Sequence, residues 1–320
     1  LKEIEEYFAR AHREMAPTNE KQAWLPEGCT VLRNPNGTAP GCLMEADGKK
    51  VAVLPGPPRE MRPMLQNELL PRLMQKGQRL VSHELHFYGI GESELEYKLH
   101  DLMAESTNPT IAPYAGTGEV KLRVTASLPE GEDAEALLQP AIKKILAAAG
   151  DYCYGIDVPD LQTAAVQALR KKGLTVASAE SCTGGLVAAR LTEVPGASAV
   201  FGCGIVSYNN TVKAEVLGVD PAIIEQYTAV SAETAAAMAA AIRQKSGAAI
   251  GIGITGNAGP SASEGQPVGL VFVAVASEKY SHVSRLFIDR HDADARNLIR
   301  HFAALKALSL ILRAAGYYKE

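Results

Sequence analysis

Leu174-Thr175-Val176-Ala177-Ser178-Ala179-Glu180-Ser181-Cys182-Thr183-Gly184-Gly185-Leu186 is the stretch on which the reading of this chain turns. Leu174 to Ala179 is dense in strand formers, and the residues after Gly185 continue as a helix, so Glu180 to Gly185 form a strand-to-helix junction. In an α/β sheet that junction is where ligands bind. Hydroxyls, a thiol and two glycines there leave backbone N–H groups exposed at the positive end of a helix, a setting for an oxyanion or a phosphate. Ser181 is a candidate nucleophile, with Cys182 and Thr183 as rivals. The plainer alternative is a hydroxyl that only caps the helix.

Two further apolar runs end in the same way. Gly204-Ile205-Val206-Ser207-Tyr208-Asn209-Asn210-Thr211-Val212-Lys213 places a lysine in the first turn of the next helix, capped by Asn209 or Asn210. The positive potential of a helix start lowers a lysine pKa, as a general-base lysine requires, whereas an ordinary solvated lysine needs no such setting. Ile252-Gly253-Ile254-Thr255-Gly256-Asn257-Ala258-Gly259-Pro260 is the third run. If the three strands are parallel neighbours, Ser181, Tyr208, Lys213 and Thr255 share one sheet edge, a set that a purely structural turn has no use for. Together they resemble a serine/lysine amidohydrolase site without a catalytic histidine. His282, His291 and His301 lie in the last third of this domain and show neither triad nor metal spacing. Arg296 and Arg300, four apart, share a face of the last helix and suit either a phosphate clamp or a solvated surface.

The rest of the 320 residues predicts an α/β protein of two or three domains. Residues 1–78 read as helix, loop, short strand (Lys50 to Leu54) and helix, too few strands for a sheet and therefore the second half of an α/β domain. Pro57 or Pro58 would open its second helix. Residues 79–157 read as a small α+β unit ending in a linker at Ile156 to Asp160. Residues 158–320 alternate strand and helix, which predicts helices layered over a mixed sheet. With Lys+Arg 32 against Asp+Glu 36 there is no basic field for a polyanion, so nucleic acid is not expected as a partner. Five scattered cysteines without a C-x-x-C pair argue against disulfides and structural zinc, and fit a reducing cytoplasm. No apolar run approaches the ~20 residues that span a bilayer. The chain opens on Leu1 with a charged helical pattern, which predicts that it begins inside a longer gene product.

In its last 160 residues the sequence resembles the competence/damage-inducible protein A (CinA) family, through Ala179-Glu180-Ser181-Cys182-Thr183-Gly184-Gly185, Gly204-x-Val206-x-Tyr208-x-Asn210-x-x-Lys213, Leu217-Gly218-Val219, Ala229-Val230-Ser231 and Thr255-Gly256-x-Ala258-Gly259-Pro260. The resemblance implies a three-layer α/β/α domain that deamidates nicotinamide mononucleotide. In it Ser181 is the nucleophile and Lys213 the base, with Thr255 and Tyr208 completing the site. Cys182, Thr183, Gly184, Gly185, Asn210, Gly256, Arg296 and Arg300 are expected to bind substrate. Departures are Asp294-Ala295 before Arg296, which keeps Arg290 as a rival, Asn257 at a commonly apolar position, and Ser261 where Asp often stands. Residues 1–78 look like the second half of the family's molybdopterin-binding-like domain, through Asn34-Pro35-x-Gly37-Thr38-Ala39-Pro40-Gly41 and Leu54-Pro55-Gly56-x-Pro58-x-Glu60-Met61. Residues 79–157 look like its KH-like domain, without a G-x-x-G loop. The resemblance implies a small nucleotide as ligand, a homodimer, and no cofactor for deamidation. A divalent metal belongs only to the rival activity, ADP-ribose pyrophosphatase in the first domain; a third reading is a non-catalytic competence or repair protein.

Overall fold

The structure, a computed structural model, describes residues 1–73, 77–290 and 292–317; His291 lies outside them. The chain divides into two compact units, Leu1–Gln78 and Arg79–Glu320.

The first unit contains α1 (Lys2–Arg10), β1 (Thr30–Leu32), β2 (Gly41–Ala46), β3 (Lys49–Val53), α2 (Pro58–Met64) and α3 (Leu70–Leu73). Its strands pair antiparallel in the order β1-β2-β3, so the expectation of too few strands for a sheet is corrected. The missed signal is Asp47-Gly48, both at positive φ, a two-residue connection that closes β2 on β3. Leu32, Leu43, Met64 and Leu69 form the core of this unit, and Pro58 opens α2, where its missing N–H is not needed.

The second unit begins with β4 (Gln78–Tyr88), α4 (Glu92–Glu105), β5 (Thr110–Ala115), β6 (Glu119–Pro129), α5 (Ala134–Ala149) and β7 (Cys153–Ile156). The sheet order is β5-β6-β4-β7. Here too a strand stands where the sequence reading stops short. β7 reaches into the expected linker and pairs Ile156 with Leu85, after which the Asp157 carboxylate accepts the Glu84 N–H at 2.8 Å.

The remaining elements are α6 (Leu161–Lys172), β8 (Val176–Glu180), α7 (Leu186–Glu193), β9 (Phe201–Val206), a single π turn (Val212–Leu217), α8 (Pro221–Tyr227), α9 (Ala232–Ser246), β10 (Ile250–Gly256), β11 (Leu270–Ser277), β12 (Ser281–Phe287) and α10 (Ala295–Ala314). Asp160 starts α6 by accepting the Thr163 N–H, and Gly173 at positive φ ends it. The five strands run β12-β11-β10-β8-β9. β10, β8 and β9 are parallel, and β11 and β12 are antiparallel additions. Because β8 and β10 are covered on both faces, they are buried along almost their whole length rather than alternating, polar Ser178, Glu180 and Thr255 included. Val176, Ile252 and Ile254 join α6, α7 and α10 in the main core, while Ala177 and Ala179 face Met238 and Ile242 of α9. The result is three layers. Gly251 and Gly253 let α9 lie directly on β10, since a Cβ at either would overlap the Ala239 and Ala235 carbonyls. That close approach fixes the height at which β10 delivers Thr255.

Among the described residues no helix is long and apolar enough to cross a membrane.

Candidate active site

The three parallel neighbours end side by side, and their carboxyl ends bring the expected residues together. Lys213 Nζ is 3.3 Å from Ser181 Oγ and 3.4 Å from the Tyr208 carbonyl oxygen. Ser181 follows β8 directly, its N–H donating to the Ile254 carbonyl at 2.9 Å, which locks the turn onto β10. Asn209, not Asn210, caps the turn that carries Lys213, its side chain accepting the Val212 N–H. Ser181 is 8% exposed and Lys213 1%.

Burial pushes the Lys213 ammonium below the ordinary lysine range. The leading cause is therefore desolvation rather than the helix start that the sequence suggested, and no arginine contributes. The opposing charge is the Glu264 carboxylate. Cys182 would oppose it only as a thiolate, and burial pushes that thiol up to about 12, so it stays neutral where a lysine works.

Glu180, the sequence neighbour of Ser181, is turned away from the lysine. Its carboxylate accepts the N–H groups of Gly185, Val187 and Ala188 at 3.1, 3.0 and 2.9 Å, and the Ser178 hydroxyl at 3.2 Å. This buried anion caps the N-terminus of α7. It narrows the possible oxyanion donors: Gly185 N–H is held by Glu180 and Gly184 N–H by the Ser181 carbonyl. Among the described residues the Cys182 and Thr183 N–H groups have no backbone or carboxylate partner in another residue.

A pocket of 290 Å3 opens over the pair, lined by Ser181, Cys182, Asn210, Lys213, Thr255 and Gly256, with Tyr208 and Arg296 also on its wall. Thr255 is buried, its hydroxyl donating to the Ala229 carbonyl at 2.6 Å. Tyr208 is 59% exposed on the rim, its hydroxyl accepting from Arg296 Nη2 at 2.9 Å. Arg296 also donates to the Gly259 carbonyl. The arginine pair is split, for Arg300 does not line the pocket and instead donates to the Thr183 carbonyl at 3.0 Å. Thr183, Gly184 and Gly185 likewise build the turn rather than the pocket wall, and Arg290 lines neither. His301 sits between Arg190 and the Thr117 carbonyl, and His282 stacks on Tyr280. Among the described residues no group of three His, Cys, Asp or Glu side chains is placed to hold a metal ion.

Residues 159–315 match the CinA C-terminal domain, and residues 82–155 match the damage-inducible protein CinA KH domain. A competence-damage inducible protein of Acetivibrio thermocellus is 44% identical over 98% of this chain and 75% of its own length. The chain belongs to the CinA family. A second CinA-family relative, from Bacillus subtilis, is 42% identical over 97% of this chain and 74% of its own length. The crystal structure of competence/damage inducible protein CihA from Agrobacterium tumefaciens is 35% identical, covers 48% of this chain and 93% of its own, and gives a TM-score of 0.45.

Four polar residues of this pocket, Asn257, Ser261, Ser263 and Glu264, were not identified as site residues from sequence. Glu264 stands on the pocket wall, its carboxylate accepting the Ala229 N–H at 2.8 Å and the Asn210 amide at 3.3 Å. Asn257, noticed only as a departure, is buried and organises the loop after β10. The available signal was Glu264-Gly265, a two-residue turn pattern inside a Ser-rich loop.

Proposed function

We propose that this chain hydrolyses the carboxamide of nicotinamide mononucleotide to nicotinate mononucleotide and ammonia by a metal-independent Ser-Lys mechanism. The observation that carries the reading is the 3.3 Å contact between a buried lysine amine and a serine hydroxyl at the floor of a small pocket. A neutral Lys213 takes the Ser181 proton as Oγ attacks the carboxamide carbon. The tetrahedral oxyanion is held by the Cys182 N–H, which belongs to the one residue of the turn after Ser181 that lines the pocket. Lys213 returns the proton to the departing nitrogen, ammonia leaves, and a water activated by the same amine hydrolyses the acyl-serine ester. Thr255 holds the Ala229 turn that walls the pocket, and Tyr208 holds Arg296, whose guanidinium suits the substrate's phosphate.

Ammonia release from nicotinamide mononucleotide, measured with and without EDTA, tests the reading. Release that persists in EDTA and disappears in Ser181→Ala supports it. Metal-dependent release of AMP from ADP-ribose, without ammonia release, replaces it with pyrophosphate hydrolysis in the first unit. The reading includes a homodimer, for which light scattering at micromolar concentration is the test.

A further inference from the structure

The loop between β10 and β11 is held by one buried side chain. Asn257 donates its amide to the carbonyls of Ser261 and Gln266 at 3.1 Å each and accepts the Gly259 N–H at 2.9 Å. Its backbone pairs with Leu270 and Gly269. Inside that frame Ser263 and Gln266 bridge across Glu264-Gly265, and both turn residues have positive φ, 51° and 72°. Glycine adopts that conformation freely, whereas a glutamate held there is less common. The turn carries the Glu264 carboxylate to the wall of the Ser181 pocket. The charged residues lining this pocket are Lys213, Glu264 and Arg296. A wall with one fixed anion and one fixed guanidinium matches a ligand that carries both a cation and an anion.

We propose that Glu264 is a specificity-determining residue that reads the positive charge of an N-substituted pyridinium ring, selecting pyridinium carboxamides over neutral carboxamides of the same shape. This rests on the amidase reading above. With the carboxamide carbon at Ser181 and the phosphate at Arg296, the ring and its ribose lie between them, on the wall that Glu264 shares. Each carboxylate oxygen accepts one protein N–H and keeps a lone pair for the ligand. Glu264 is exposed to solvent, so carboxylate and ring attract by charge as a contact pair open to salt, which amounts to about ten-fold in affinity at low ionic strength.

The probe pair is nicotinamide mononucleotide and its 1,4-dihydro form, which keeps the ribose and phosphate but has a neutral ring. Calorimetric titration of Ser181→Ala, which binds without turnover, is expected to show the dihydro form about ten-fold weaker. In Ser181→Ala/Glu264→Gln that ratio is expected to fall below about two-fold through loss of affinity for the cationic form alone. Glu264→Asp should keep part of the preference. If both forms weaken equally, or the ratio is unchanged, Glu264 only latches the loop to Ala229 and the proposal is overturned. Should Glu264→Gln unfold, judged by its melting temperature, raising the salt concentration in Ser181→Ala supplies the second measurement. The preference must then shrink with ionic strength, and a salt-independent ratio overturns the proposal. Absence of ammonia release by the native chain sinks the amidase reading whatever the ratio; ammonia release with an equal loss of both forms sinks only the Glu264 assignment.

Discussion

Lys213 and Ser181 meet at 3.3 Å, while the carboxylate nearest to them in sequence, Glu180, directs its oxygens into the start of α7. A lysine held next to a carboxylate stays charged and cannot act as a base. Turning Glu180 away leaves burial as the leading influence on the amine, opposed by Glu264 across the pocket.

The pH profile follows from that balance. Burial favours neutral amine, so the lysine loses its proton below the ordinary value of 10.5. kcat/KM should rise with pH through this depressed pKa, and Lys213→Met should abolish the ascending limb and lower the rate by roughly 10² to 10⁴-fold. Glu264→Gln removes the opposing charge and should move the limb to lower pH. Stability carries the same signature. Between the depressed folded pKa and 10.5 the unfolded chain binds more protons than the folded one, so stability from this group rises with pH across that window. Urea unfolding at a series of pH values should show that slope in the native chain and not in Lys213→Met. A limb that survives Lys213→Met makes lysine a binding residue.

Ser181→Ala should lower kcat by about 10³-fold or more while leaving the melting temperature nearly unchanged. Cys182→Ala should be mild, because a thiol pushed up to about 12 supplies essentially no thiolate near neutral pH. Steady-state kinetics of the two variants decides the nucleophile. An exchange of the two results would move it to Cys182.

How the site was legible explains where the reading fell short. Strand-to-turn junctions announce themselves through apolar runs that end in Ser181, Tyr208 and Thr255, and the parallel order β10-β8-β9 then brings those ends together. What spacing cannot carry is direction. Glu180 adjoins Ser181 in sequence and Lys213 lies 32 residues on, yet the fold sends the near carboxylate backward and the distant amine forward. Arg296 and Arg300 share a helix face, yet a single turn of α10 separates the pocket wall from the Thr183 carbonyl. Glu264 was hidden because its loop has no periodic pattern and its position depends on the hydrogen bonds of Asn257. In the same way β1, β2 and β7 are short strands beside glycine, proline or a linker, where the hydrophobic period has no length in which to show.

Glu180→Ala tests the cap behind the nucleophile. It leaves the Gly185, Val187 and Ala188 N–H groups without their partner at a helix start where the carboxylate is 1% exposed. Losing charge-assisted bonds to buried donors costs about 2–4 kcal/mol, so denaturant unfolding should show a loss of that order. A loss below about 0.5 kcal/mol would mean that water satisfies these donors and that the carboxylate has little part in fixing the turn.

The arginines separate binding from turn geometry. Arg296 lines the pocket and holds the Tyr208 hydroxyl, so Arg296→Met removes a guanidinium that faces the substrate. Its expected effect is a KM raised by about ten-fold or more with kcat changed much less, the mark of binding shared by ground and transition states. That loss should shrink for nicotinamide riboside, which lacks the phosphate. Arg300 donates to the Thr183 carbonyl and stands behind the nucleophile turn. Arg300→Met should therefore lower kcat, by roughly ten-fold, for nucleotide and riboside alike, because a displaced turn misplaces Ser181 and the N–H groups that follow it. Kinetics of both variants on both substrates gives four numbers and one decision. A phosphate-dependent loss in Arg300→Met, with none in Arg296→Met, would move the phosphate to the other side of the turn and with it the whole orientation of the substrate in the pocket.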